Sequence, residues 1–184
     1  MAELIAEYRE IGARAEKIAV RAGTSGLAVR PSEGRWSPAE CFGHLNLSME
    51  AFFPLWRDSL SVSVEEISAT PFRTDLWGKL LVWAIEPPYR MKVKAPPAFQ
   101  PPRAGDEAGE DEREDAVAAA ARFLSLNAQV IDVLLSGRNH PLDAMNIASP
   151  FAASMKYSLW SSFRINAAHS RRHLWQAEQS LPAV

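Results

Sequence analysis

Six of the thirteen prolines fall between residues 87 and 102. The segment PPYRMKVKAPPAFQPP therefore cannot be helix, because each ring removes an amide donor and clashes with the preceding turn. It is extended, and it divides the chain into two stretches that each read as helical. Neither stretch carries enough apolar faces to close a core alone. The segment is thus read as a strap across a bundle, with Tyr89, Met91, Val93 and Phe99 as apolar anchors. A single domain spanning 1–184 follows.

Before the strap, Leu4, Ile5, Tyr8, Ile11, Ala15 and Ile18 recur at helical spacing and predict a helix from residue 3 to about residue 22. Ser37-Pro38-Ala39-Glu40 is a capping box with proline at the first helical position, so a second helix starts sharply at Ser37 and runs to about Ser59. Pro54 should kink its last turns or end it early. Asp75 to Glu86 predict a short apolar helix stopped by Pro87 and Pro88. After the strap, a long helix is expected from Asp111 to Ser136, ended by Gly137, and another from about Ala152 to Ser180. Beta-branched residues are too scattered for a sheet. The expectation is an all-α fold.

Charge and cysteine content narrow the function classes. The net charge of −2 excludes a nucleic-acid binder driven by bulk charge. Residues 106–115 hold seven acids and one arginine, read as a solvated approach to a helix N-terminus. The lone Cys41 excludes an intramolecular disulfide and a cysteine-based zinc site. No stretch approaches the roughly 20 apolar residues of a membrane helix. A cytoplasmic protein with a small-molecule substrate is expected, without nucleic-acid or membrane partners, and a homodimer is compatible with this reading.

Histidine is the informative residue, with four in the chain. His169 and His173 are spaced i, i+4, one turn apart on one helix face. That suits two imidazoles converging on one metal ion, and equally two residues of a core or surface face. His44 lies about 10 Å into the second helix, and the pair lies roughly 10 to 17 Å from the far end of the last. If those helices are antiparallel neighbours, the three rings reach a similar depth. Three neutral imidazoles would leave positions on an ion open to water or substrate. His140, before Pro141 in a loop, reads as a surface residue.

Two segments carry a resemblance. Trp36-Ser37-x-x-Glu40-x-x-x-His44-Leu45 and His169-x-x-Arg172-His173-Leu174-x-Gln176 resemble the signatures of the DinB/YfiT-like family. The resemblance implies an up-down-down-up four-helix bundle, here with an additional short helix and the Pro-rich crossover. It implies one divalent metal, nickel or zinc, on His44, His169 and His173. Family members include thiol-dependent S-transferases using mycothiol, bacillithiol or glutathione, and a maleylpyruvate isomerase. A metal-dependent transferase activating a low-molecular-weight thiol is the resulting expectation. A metal-dependent hydrolase and a non-catalytic metal- or ligand-binding stress protein are the alternatives. No catalytic residue is singled out. Around the ligands, Glu40 is either second support to His44 or only a cap. Cys41, Asn166, Arg172 and Gln176 are pocket candidates, and Trp36 reads as a hydrophobic staple.

Overall fold

The computed structural model describes residues 1–62, 71–88, 90, 95–101 and 110–182. Five helices, α1 (Ala2–Leu27), α2 (Pro38–Leu60), α3 (Leu76–Ile85), α4 (Glu110–Ser136) and α5 (Leu159–Glu178), dominate it. A two-stranded antiparallel sheet, β1 (Asn146–Ser149) and β2 (Ala152–Ser158), precedes α5. The fold is therefore mostly helical and not purely α.

α2 starts where the capping box dictates. The Ser37 hydroxyl accepts from the Glu40 amide and the Glu40 carboxylate accepts from the Ser37 amide. Pro54 lies inside it and does not end it early: the helix runs on to Leu60. The proline is exposed, so the amide it lacks is missing on the solvent side. Phe52, Phe53 and Trp56 hold the turns around it in the core. α1 runs past the expected end near residue 22. Gly23 takes a left-handed φ of 63°, open to glycine at little steric penalty, and a further helical turn reaches Leu27.

α1, α2, α4 and α5 share one hydrophobic core. Trp56 sits at its centre, fully buried, stacked at 4.4 Å on Phe163, with its indole N–H donated to Ser162. Paired contacts fix the helix directions. His44 meets His169 while Trp56 meets Ser162, so α2 and α5 run antiparallel. Asn46 donates to the Ala119 carbonyl, Glu50 accepts from Arg122 and Arg57 reaches Gln129, so α2 and α4 run parallel. Tyr8 bonds to Phe163 and Arg14 pairs with Glu178, so α1 and α5 run parallel. Among the described residues, α4 is long and apolar enough to cross a membrane by length and composition, contrary to the sequence expectation. Its Phe123, Leu126, Val130 and Leu134 are buried in this core.

The last helix begins seven residues later than expected, because Ala152–Ser158 is a strand. The chain pairs Ile147 with Tyr157 and Ala148 with Lys156, with an irregularity before Ser149. Ser158 then caps α5 by accepting from Ser161. α3 is capped by Asp75, whose carboxylate also accepts from the Ser158 amide at 2.6 Å, tying the starts of α3 and α5 together. Of the expected strap anchors, Phe99 lies half-buried in a short 3-10 turn, Pro97–Phe99. Tyr89, Met91 and Val93 lie outside the described residues, as do residues 106–109 of the acidic run.

Candidate metal centre

Antiparallel packing of α2 on α5 brings His44 to His169 and His173. One ring nitrogen from each lies within 4.8 Å of the others. The Nε2 atoms of His44 and His169 are 3.1 Å apart, and the ring centroids are 4.4 to 5.0 Å apart. Two nitrogens on one tetrahedral ion with bonds of about 2.1 Å stand roughly 3.4 Å from each other, so the spacing fits a shared ion.

The rings are arranged to be neutral. His44 donates from Nδ1 to the Phe99 carbonyl at 2.6 Å. A carbonyl only accepts, so the neutral ring carries its proton on Nδ1 and turns the Nε2 lone pair into the cluster. Burial lowers the pKa of all three rings, well below the ordinary range for His169 and His173. Neighbouring rings and the Arg172 cation push the same two down further, while Gln176 acts weakly in the opposite direction on His173. His169 keeps an exposed edge, but its Nδ1 is buried, like that of His173, and neither atom has a hydrogen-bond partner among the described residues. Three converging neutral imidazoles, two with unsatisfied buried nitrogens, are a donor set suited to a borderline divalent ion.

Aromatic groups wall the cluster. Trp36 lies 5.1 Å from His44 and stacks at 5.8 Å on His173. It therefore packs on candidate ligands instead of serving only as a staple on its own helix. Phe151, at the hairpin turn, lies 6.0 Å from His169 and 4.6 Å from Phe99. Neither Trp36 nor Phe151 was expected here. Phe151 could not be read because the hairpin itself was not. A polar cavity of about 190 Å³, lined by Arg30, Gly34, Trp36, Glu40, Gln100 and Pro101, shares Trp36 with the cluster.

The remaining candidates divide. Glu40 is buried, and its carboxylate is taken by Arg30 and the Ser37 amide, so the ring partner of His44 is Phe99 and not Glu40. Cys41 is fully buried in the hydrophobic core. Asn166 is also buried; its Oδ1 accepts from Tyr8 at 3.0 Å and its Nδ2 has no partner among the described residues. Arg172 and Gln176 are half-buried beside the rings. His140 is half-buried, not a surface residue, and is not part of the cluster.

The family model of the DinB superfamily matches residues 7–177. No curated protein and no solved structure matches the chain.

Proposed function

The chain belongs to the DinB superfamily, and on that premise we propose that it is a metal-dependent transferase acting on a low-molecular-weight thiol. The observation that carries this reading is the convergence of His44, His169 and His173, two of them buried and His169 half-buried. The ion expected on these residues is zinc or nickel. A divalent ion bound there would supply Lewis acidity, favouring a thiolate over a thiol near neutral pH.

The protein's own part is orientation and shelter. Phe99 holds the His44 ring in one tautomer. Trp36 and Phe151 keep water from two sides of the cluster. Arg172 adds positive charge, which favours an anionic sulfur over a neutral one. The cavity beside Trp36 offers polar groups for the body of a small substrate. The helix directions support an up-down-down-up bundle spanning one domain, and a cytoplasmic location is part of the same reading.

The test is metal content as isolated, followed by assay of the nickel- and zinc-loaded protein. Mycothiol, bacillithiol and glutathione would be offered with an electrophile, and simple esters and amides in parallel. Thiol consumption that requires metal supports the transferase. Turnover of esters or amides without thiol replaces it with a hydrolase. Metal bound with no turnover of any substrate leaves a binding protein.

A further inference from the structure

A second concave region lies between α3 and α5, and it shares no lining residue with the three-histidine cluster. Its volume is about 590 Å³, within the range of sites that hold small organic ligands. Arg73, Lys79, Arg90 and Arg164 line it together with Val82 and Trp83.

The charges in this cleft do not balance. Arg164 is paired with Glu7, and the lining carboxylate Glu86 is taken by Arg171. Asp143 accepts from the backbone amide of Arg73. Arg73 and Lys79 have no side-chain acid partner among the described residues. Arg90 donates to the Trp83 carbonyl at 2.6 Å and lies 4.9 Å above the Trp83 ring, with no carboxylate partner among the described residues. Four cations, Arg73, Lys79, Arg90 and Arg164, thus line the cleft with one carboxylate, Glu86, in a chain whose net charge is −2.

The cleft also has a preset shape. Asp75 caps α3 and bonds to the start of α5, so the two walls are fixed relative to each other. Arg171 bridges Glu86, just past the end of α3, to Glu7 on α1 behind them. Trp83 is 55% exposed, and its ring offers a flat apolar surface beside the cations.

We propose that this cleft binds an organic anion with an aromatic body. The cations would hold a carboxylate or similar acid, and Trp83 and Val82 would cover the ring. An inorganic anion would leave the Trp83 surface unused, and a neutral aromatic would leave the cations unanswered. This site does not depend on the metal-site reading.

The test follows the indole N–H signals of the labelled protein by nuclear magnetic resonance. The Trp83 signal is the one absent from Trp83→Phe. Three probes separate the contributions: 2-naphthoate, 2-naphthol and inorganic phosphate. The proposal expects 2-naphthoate to shift the Trp83 signal saturably, with a dissociation constant on the order of 1 mM or tighter for a ligand of this size. At equal concentration, 2-naphthol and phosphate should shift it little. The double variant Arg73→Gln, Lys79→Gln should bind 2-naphthoate about fivefold more weakly, and His173→Ala should bind it as the parent does. No shift with 2-naphthoate, an equal shift with 2-naphthol or phosphate, or unchanged affinity in the double variant would overturn the proposal. Loss of the shift in His173→Ala would place the probe at the three-histidine cluster and overturn it as well.

Discussion

His44 Nδ1 lies 2.6 Å from the carbonyl oxygen of Phe99, a residue 55 positions later in the chain. One main-chain group in the Pro-rich segment thereby sets which nitrogen of a ring on α2 is available. In the neutral protein His44 should be the Nδ1–H tautomer, with a bare Nε2. Long-range proton–nitrogen correlation spectra of the histidine rings report this directly. An Nε2–H tautomer at His44 would show that Phe99 does not hold it.

That contact marks the limit of what the residues alone disclose. The capping box at Ser37 and Glu40 is a local pattern with a local cause, so the start of α2 was legible. So was the depth match between His44 and the His169/His173 pair, because helical rise is constant. The hairpin was not. Ala152, Ala153, Met155 and Lys156 are ordinary helix formers, and no glycine or proline separates them from Leu159. Their strand conformation comes from pairing with Asn146–Ser149, a tertiary contact that a single segment does not encode. Phe151 reaches His169 through that hairpin and was hidden for the same reason. Glu40 was ambiguous between cap and ring partner because Arg30, which takes its carboxylate, precedes the helix in an irregular stretch.

Gly78 is where α3 meets α5. A Cβ there would lie 2.5 Å from Ser161 and 2.8 Å from Thr74 Cγ2. Gly78→Ala should therefore destabilise the protein by about 1 to 3 kcal/mol, despite alanine's better helix propensity. Urea denaturation of parent and variant measures it. Equal or greater stability in the variant would mean that α3 is not seated as described.

Cys41 should be inert in the folded protein. Burial raises its thiol pKa above the ordinary range, and the nearby charge of Glu40 raises it further. The thiolate is the reactive form, so alkylation by iodoacetamide at pH 8 should be negligible until the chain is unfolded in denaturant. Mass spectrometry of the native and denatured protein distinguishes the two. Rapid native labelling would place Cys41 outside the core.

His173→Ala should keep the fold and lose most bound metal. The site is one position on α5, and alanine is a strong helix former. Two imidazoles would remain where three converge, and the two-ring remnant should hold an ion much more weakly. Elemental analysis of parent and variant after identical loading, with far-ultraviolet circular dichroism as the fold control, measures this. Equal metal content would remove His173 from the ligand set.

The metal-free protein should lose stability as the pH falls below about 6.5. In the unfolded chain each histidine takes up a proton near that value. In the folded chain the pKa values of His169 and His173 are held well below it and that of His44 is lowered, first by burial. Over the interval between folded and unfolded values the unfolded state binds more protons, so the stability of the fold rises with pH there. Each such ring contributes a slope of up to about 1.4 kcal/mol per pH unit, and the contribution is fully present above the unfolded value. His173→Ala removes one of the rings, so its slope between pH 6.5 and pH 5 should be shallower than the parent's, whatever its absolute stability. Urea denaturation across that range, in the presence of a chelator, gives both slopes. A parent whose stability is flat from pH 7 to pH 5, or a variant with the parent's slope, would mean that the rings are not held neutral by burial.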